Sequence, residues 1–316
     1  TVKEERVKMH KIELICYAGS LACLKAALNS GADSVYVGGE SFGRDTLSQE
    51  FSREDLIEGI KFAHENNKKV YVTINLLPHN KDFDKFKEFL NDLNEMKVDA
   101  VIVSEPGTLI TVKQLLPEMK IHLGNVSNVY NYETANFWHN QGADRVVISR
   151  ELSIKEIEMM RLKTPESLEL EAYVHGPIVM SYSGRKLITS YLESKGKDDY
   201  SSKKRYNLAE EKRQGQYCPV YEDEAGTIFF ASRDLCMIEY IDKFIRAGVS
   251  TLTIEARLQD ENYINTVVPI YRKAIDDFYN NNFEYNCSED MLETLKNATT
   301  RKHTTGFYLD ETVDYD

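Results

Sequence analysis

Residues 30–38 read SGADSVYVG, and the same pattern returns in residues 141–149, QGADRVVIS, and in residues 247–255, AGVSTLTIE. In each stretch a glycine ends an amphipathic segment, and a run rich in β-branched residues follows. Glycine in this place is typical of a left-handed helix C-cap, and the β-branched run predicts a strand. The three stretches therefore indicate a helix-to-strand unit that repeats along the chain.

Eight such units span the chain. The predicted strands are residues 13–17, 34–37, 69–75, 100–104, 120–123, 145–148, 168–174 and 251–255. The predicted helices are residues 20–30, 53–66, 82–96, 107–116, 131–141, 153–163, 238–247 and 260–280. Strands that alternate with helices pair in parallel through right-handed crossovers. Eight units favour a closed TIM-like (β/α)8 barrel over an open doubly wound sheet, and we place it in residues 1–285.

The alternation stops at residues 177–234, which follow strand seven. This insertion contains a segment rich in lysine and arginine, then two alternating runs, residues 216–222 and 227–231, that predict a β-hairpin. It lies at the carboxyl ends of the strands, where barrels of this class carry their chemistry. We expect residues 286–316 to form a tail that packs back on the barrel.

Composition limits the possible functions. The 316 residues carry a net charge of −12, which repels nucleic acid and anionic lipid at long range, so any RNA contact must be local. The five cysteines form no C-x-x-C pair and are expected to be reduced thiols. The sequence has no apolar stretch of membrane-spanning length and no signal-like start, so we expect a cytoplasmic protein without a membrane partner.

Polar residues follow the predicted strands at the carboxyl-end rim. They are Asn75, Ser104, Glu105, Asn125, Asn128, Arg150, Glu151, His175, Glu255 and Arg257. Carboxylate, imidazole and guanidinium groups that converge on one mouth usually serve a ligand. We predict catalytic roles for His175, Glu151 and Glu255. We predict ligand binding by Asn75, Asn128, Arg150, Arg185 and Arg257.

Structural roles are the alternative for the same residues. Glu151 would then cap the following helix, and Glu255 and Arg257 would form a rim salt bridge. His175 would be a hydrogen-bonded structural residue, rather than an exposed imidazole that acts as acid, base or anion contact.

Residues 183–213 carry nine basic and five acidic residues, a local net charge of +4 on an acidic protein. Tyrosines at positions 182, 191, 200 and 206 are interleaved with them. This composition suits the binding of phosphates and the stacking of unpaired bases, and we predict RNA contacts from Lys203, Lys204 and Arg205. A solvated loop is the alternative.

Common catalytic signatures are missing. The sequence contains no G-x-S-x-G, no H-E-x-x-H, no G-x-G-x-x-G and no phosphate-binding loop. The residues themselves therefore support neither a protease nor a nucleotide-dependent enzyme.

Nine short segments are ordered along the chain as in one known family. They are ELICYAG (13–19), GADSVYVGG (31–39), KVYVTIN (69–75), NYETA (131–135), SRELS (149–153), VHG (174–176), SYSGR (181–185), SRDLC (232–236) and TTGFY (304–308). The chain thereby resembles the collagenase-like peptidase family, numbered U32 among peptidases of unclassified mechanism, over almost its entire length.

The resemblance implies a role in RNA modification. Similar members act in oxygen-independent hydroxylation of the tRNA wobble uridine, and others act on ribosomal RNA or ubiquinone precursors. Those hydroxylases hold an iron-sulfur cluster with four cysteines. Here the family's first position is Lys186, the next two correspond to Asp198 and Ser202, and Cys236 is the surviving ligand. Since one thiolate cannot hold such a cluster, we expect no iron-sulfur cluster and predict no cofactor or metal. A rebuilt site of Cys218, Cys236, Asp198 and His175 is the alternative.

The resemblance is to a small, cluster-lacking family member that acts as an auxiliary subunit. The partners it implies are a larger cluster-bearing paralogue, tRNA, and a dicarboxylate such as prephenate, in a homo- or hetero-oligomer. Whether the chain is itself an enzyme stays open. One alternative is a collagenase-like protease with a metal on Glu151, His175 and Glu255. Another is a homo-oligomeric binding protein without RNA.

Overall fold

Eight parallel strands close into a barrel in the computed structural model of this protein. The structure describes residues 11–38, 51–74, 78–196, 205–209, 211–212, 215–223 and 226–309. The barrel strands are β1 (Glu13–Tyr17), β2 (Ser34–Gly38), β3 (Lys69–Ile74), β4 (Ala100–Val103), β5 (Ile121–Leu123), β6 (Arg145–Val147), β7 (Glu169–Ser183) and β11 (Thr251–Ile254). The other strands are β8 (Arg205–Ala209), β9 (Tyr217–Asp223), β10 (Gly226–Cys236) and β12 (His303–Thr304).

Helices alternate with the barrel strands, and further helices lie in the insertion and after the last strand-helix unit. They are α1 (Leu21–Asn29), α2 (Arg53–Glu65), α3 (Phe83–Glu95), α4 (Pro106–Leu115), α5 (Tyr132–Asn140), α6 (Ile154–Lys163), α7 (Leu187–Ser194), α8 (Ile241–Arg246), α9 (Glu261–Asn280) and α10 (Glu289–Asn297). Short 3-10 turns occupy Asn80–Asp82, Asn125–Ser127 and Ile238–Tyr240. None of these helices is long and apolar enough to cross a membrane.

Strand pairing closes the ring. Strands β1 to β7 pair in chain order, and β11 pairs in parallel with both β7 and β1. All eight predicted strands and all eight predicted helices are present. Their ends differ by a few residues, except that β7 runs nine residues further than predicted, to Ser183. The glycines at the repeated helix ends have positive φ, +107° at Gly31 and +108° at Gly142, as a left-handed C-cap requires. The predicted (β/α)8 barrel is confirmed.

The insertion forms an antiparallel extension of the barrel sheet, called the inserted sheet below. Strand β7 continues past the rim to Ser183 and pairs with β10, which pairs with β9, which pairs with β8. The predicted hairpin is therefore confirmed as β9 and β10. We predicted only a basic loop before it, but the structure contains α7 and β8 there. Those elements depend on tertiary contacts: the carboxylate of Glu222 in β9 accepts hydrogen bonds from the first amides of α7, Ile188 and Thr189, both at 2.8 Å.

The residues after α9 return to the barrel. Strand β12 pairs with β10 through His303 and Asp234. Tyr308 is 1% exposed and donates a hydrogen bond from its hydroxyl to the carbonyl of Tyr173, at 2.9 Å. The tail is thereby anchored beneath the rim that carries the candidate site.

The inside of the barrel is polar near the amino ends of its strands. The guanidinium of Arg145 lies 2.5 Å from carboxylate oxygens of Glu13 and Glu169, and 3.6 Å from Glu171. Tyr71 donates a hydrogen bond to Glu13 at 2.6 Å. Burial opposes ionisation of Glu13, but the charge of Arg145 and hydrogen bonds from neighbouring hydroxyls outweigh it and lower its pKa. One buried arginine therefore neutralises carboxylates from two strands that are distant in sequence.

We predict that Arg145→Leu destabilises the fold by about 3–5 kcal/mol, because Glu13 and Glu171 would remain buried without their counter-charge. Urea unfolding at neutral pH measures the change. Arg53→Leu is the matched control: its partner Glu95 is 4.0 Å away and both side chains are exposed, so the loss should stay below about 1 kcal/mol. Equal stability of the two variants would contradict the assigned role of Arg145.

Candidate functional site at the carboxyl-end rim

Two arginines meet at the carboxyl-end rim. Arg257, just after β11, makes a two-pronged ion pair with Glu255: its Nε lies 2.8 Å from Oε1 and its Nη2 lies 2.7 Å from Oε2. The Arg257 guanidinium also lies 4.2 Å from the centre of the Tyr17 ring at the end of β1. The side chains of Glu255 and Arg257 are 5% and 14% exposed. The predicted rim salt bridge is thus present, and it holds Arg257 over the barrel mouth.

The second arginine is bound by a backbone carbonyl. Arg150, after β6, donates a hydrogen bond from Nη2 to the carbonyl of Val179 in β7, and it forms no ion pair within the described residues. Burial lowers the pKa of Arg150, and the positive charge of Arg257 acts in the same direction, while nearby Tyr173 and Glu255 oppose it. Both prongs of Arg257 bind Glu255, so among the side chains of Arg150, Arg257 and Glu255 one positive charge is left over. Such a pair of guanidinium groups suits a carboxylate or a phosphate.

His175 is buried, so the expectation of an exposed imidazole is wrong. It is 1% exposed, and its Nδ1 shares a 3.0 Å hydrogen bond with the hydroxyl of Tyr271 in α9. Burial lowers its pKa to about 3, and the neighbouring His303 acts in the same direction. The ring is enclosed because β7 does not end at the rim but continues through Gly176 into the insertion. His175 is therefore neutral at physiological pH.

Glu151 lies apart from the buried residues. It is exposed and accepts a hydrogen bond from the Tyr130 hydroxyl at 3.0 Å. It does not cap α6, since Ser153 does so in a capping box with Glu156. No three His, Cys, Asp or Glu side chains in the described residues are placed to hold a metal ion. The structure therefore does not bring Glu151, His175 and Glu255 together as a metal site.

The other predicted ligand residues are scattered. Asn128 is exposed and ends the Asn125–Ser127 turn with φ +52°. Arg185 is exposed at the turn from β7 into α7. Asn75, Lys203 and Lys204 lie outside the described residues. Within the predicted set, the structure thus brings together Arg150, Glu255 and Arg257.

The predicted RNA-contact residue Arg205 is exposed in β8, with its guanidinium 5.1 Å from the Tyr221 ring centre. Of the four tyrosines predicted to stack on bases, Tyr191 is 61% exposed, Tyr182 and Tyr206 are half-buried, and Tyr200 lies outside the described residues.

A buried polar cluster behind the rim was missed from the sequence. Beside His175 lie the rings of Tyr263 and His303, at centroid distances of 6.1 and 5.7 Å. Tyr263 and Tyr271 are eight residues apart on α9, so the helical period already places both on its buried face. What the sequence did not show is that β12 brings His303 to the same place. Sequence reasoning also missed Tyr17 and Tyr173, which flank the arginines.

The residues present do not fit a four-cysteine iron-sulfur cluster. Cys236, at the end of β10, is 9% exposed, its Sγ lies 3.9 Å from the Tyr271 hydroxyl, and burial raises its pKa to about 11. The family's first cysteine position is Lys186, which caps α7. Asp198 and Ser202 lie outside the described residues. The other cysteines, 16, 23, 218 and 287, are all in described segments, where no group of three potential ligands forms.

Comparisons with known proteins agree with the fold. The sequence model of peptidase family U32 matches residues 19–315. The tRNA hydroxylation protein P2 of Bacillus subtilis is 35% identical, over 96% of this chain and 100% of that protein. The tRNA hydroxylation protein P1 of the same organism is 32% identical, over 97% of this chain and 73% of that protein. A solved structure described as a U32 peptidase has a TM-score of 0.52 and 14% identity, covering 78% of this chain and 92% of that one. That last similarity concerns the fold alone.

We predict that the fold loses stability as the pH falls from about 6.5 towards 3, in part through His175. Its folded pKa lies below the unfolded value of 6.5, so in this window the unfolded state binds a proton that the folded state excludes. Each such group contributes about 1.4 kcal/mol per pH unit. His175→Gln should reduce the slope of unfolding free energy against pH by about that amount, measured by urea unfolding between about pH 7 and 5. The same substitution at exposed His79 should leave the slope as in the wild type; equal slopes for all three proteins would refute the assignment.

Proposed function

The chain belongs to peptidase family U32, and we propose that it acts in hydroxylation of the tRNA wobble uridine as an auxiliary subunit that binds RNA or a carboxylate ligand at the barrel rim. The similarity to named tRNA hydroxylation proteins supports this assignment to tRNA modification. The match to protein P2 extends over that relative's whole length, whereas protein P1 has further residues outside the match.

The observation that carries the proposal is the pair Arg150 and Arg257. A barrel does not need two guanidinium groups at its mouth for stability, and burying one without a carboxylate costs free energy. Arg257 is held by Glu255, while Arg150 is held by a carbonyl and keeps its charge available. A carboxylate of a small ligand or a phosphate of RNA would offset that charge. A dicarboxylate such as prephenate fits two guanidinium groups better than a monocarboxylate does.

The redox step is assigned to a partner. Hydroxylation without oxygen needs electron transfer, and the thiolates that would hold a cluster are missing at the positions discussed above. A larger, cluster-bearing paralogue would supply that chemistry, and Bacillus subtilis already has two relatives of this chain with tRNA hydroxylation names. We therefore propose a hetero-oligomer in which this subunit binds RNA or a carboxylate ligand and the paralogue carries out the hydroxylation.

The protease alternative receives no support from the site. A metal-dependent protease needs ligands around one ion, and the described residues contain no such group. A homo-oligomeric binding protein without RNA would not bind tRNA. Binding of tRNA that weakens as the salt concentration rises would therefore exclude this alternative.

The test of the proposed function is a deletion strain. We expect hydroxylated wobble uridine to be lost from its tRNA, measured by mass spectrometry of nucleosides, and restored by the wild-type gene. Affinity-tagged protein should recover the cluster-bearing paralogue. A normal nucleoside profile in the deletion strain would show that the proposed function is wrong.

We predict that Arg150→Gln and Arg257→Gln each lower the hydroxylated fraction more than about tenfold relative to the wild-type gene. Each substitution removes a charge-assisted contact to the ligand of about 1.5–3 kcal/mol. The measurement is the hydroxylated fraction of wobble uridine in the complemented strain. Arg53→Gln, an exposed arginine of the outer helix α2, is the control and should complement fully. Full complementation by both rim variants would remove the anion site from the proposal.

Cys236 provides an independent check. We predict that Cys236→Ala supports normal hydroxylation, because the thiol is a buried packing group rather than a cluster ligand. Loss of hydroxylation in a variant that keeps wild-type thermal stability would mean that Cys236 takes part in redox chemistry. Iron and sulfide bound in stoichiometric amounts after anaerobic reconstitution of the wild type would lead to the same conclusion.

A further inference from the structure

Strands β8 and β9 present one continuous face at the edge of the inserted sheet. Directly opposed residues of an antiparallel pair point to the same side, as do alternate residues of one strand. The face is formed by Arg205, Asn207 and Ala209 of β8, opposed by Tyr221, Pro219 and Tyr217 of β9. We propose that this face, called the hairpin platform below, binds unpaired RNA bases by stacking. The choice of RNA rests on the proposed role in tRNA modification.

The platform offers accessible rings. Tyr217 is 55% exposed, and it stands opposite Ala209, whose side chain is too small to cover it. At the other end the guanidinium of Arg205 lies 5.1 Å from the centre of the Tyr221 ring, in a cation–π contact. Burial increases away from this edge, since Ile228, opposite Tyr221 on β10, is 6% exposed. The exposed aromatic surface is thus confined to the outer two strands.

The spacing of the platform residues favours RNA bases that are not stacked on one another. Alternate residues of a strand are about 7 Å apart, so Tyr217, Pro219 and Tyr221 are separated by two steps that together span about 14 Å. Stacked nucleotides rise only about 3.4 Å each. Bases that lie on successive platform residues must therefore be separated from one another, as they are in loops and single strands of RNA but not in a duplex. Asn207, between the two ends, has donor and acceptor groups for a base edge.

Arg205 places a positive charge on the platform, which a phosphate of RNA would contact. It belongs to residues 183–213, a segment with a net charge of +4 within a protein of −12. Glu222 of β9 points to the opposite face, where its carboxylate accepts hydrogen bonds from α7 and from Thr227. It therefore places no negative charge on the platform. Asp223, at the end of β9, alternates with Tyr221 and therefore lies on the platform side, at the end away from Tyr217.

Binding of a labelled uridine RNA of about ten nucleotides to the whole protein tests the inference by fluorescence anisotropy. We expect tighter binding of this single strand than of a duplex of equal length. Tyr217→Ala should weaken binding about tenfold, whereas Tyr217→Phe should retain it, because stacking needs the ring and not the hydroxyl. Arg205→Ala should reduce the slope of log affinity against log salt by about 0.7, the value for one phosphate contact on a single strand.

The matched control is Phe137→Ala. Phe137 is 53% exposed, close to the value for Tyr217, but it belongs to α5, a helix of the barrel outside the insertion. Its loss should leave the affinity unchanged. Thermal unfolding of each variant checks that the fold is intact.

Equal effects of Tyr217→Ala and Phe137→Ala would overturn the platform, as would unchanged RNA binding in Tyr217→Ala. If that variant instead released the paralogue in a pull-down while RNA binding stayed normal, the face would be a protein interface and the inference would be wrong. Normal tRNA hydroxylation in the deletion strain, together with weakened RNA binding by Tyr217→Ala, would refute the proposed function and leave the platform standing.

Discussion

The close approach of β7 and β11 at Gly176 is the constraint on which the rest of the rim depends. Gly176 has φ +104°, and a Cβ there would lie 2.2 Å from the carbonyl oxygen of Glu255. Only glycine permits this contact, which lies where the last two barrel strands close the ring. The amide of Glu255 donates to the carbonyl of His175 at 2.8 Å, so both residues are fixed by the same junction. A side chain at Gly176 would push apart the strands that hold the two rim arginines in place.

The junction also explains why His175 and Glu255 have different surroundings. Strand β7 does not stop at the rim but continues to pair with β10, and this encloses the imidazole between α9 and β12. Strand β11 ends one residue before Glu255, so its carboxylate turns to the mouth and meets Arg257. His175 and Glu255 are neighbours across the β7–β11 pair, yet His175 is a neutral core group and Glu255 is an ion-paired rim group. They differ because β7 continues past the rim and β11 does not.

The arginines at the two ends of the barrel differ in their counter-charges. Near the amino ends of the strands, Arg145 is matched by the carboxylates of Glu13, Glu169 and Glu171, a network that links β6 to β1 and β7. At the opposite mouth Arg150 lacks such a partner within the described residues. Residues 183–213 carry a net charge of +4, which acidic residues elsewhere in the insertion reduce to +1 over residues 177–234. Arg150 is therefore a rim cation without a counter-charge in the described part of the chain, and an anionic ligand would supply one.

The sequence by itself determined the repeat, and hence the barrel. Glycine caps and β-branched runs are local signals that depend on residues only a few positions apart, so strands such as Glu13–Tyr17 and Lys69–Ile74 were predicted almost to the residue. It also showed that Lys186, Asp198 and Ser202 stand at three of the four positions where similar proteins have cluster cysteines, since residue identity at those positions is read directly. Tertiary structure decided which strand-end groups meet. Arg150 and Arg257 are 107 positions apart, and His175 is buried by α9 and β12 from the far end of the chain. Contacts between residues so distant depend on how the ring closes, and no local pattern contains that information.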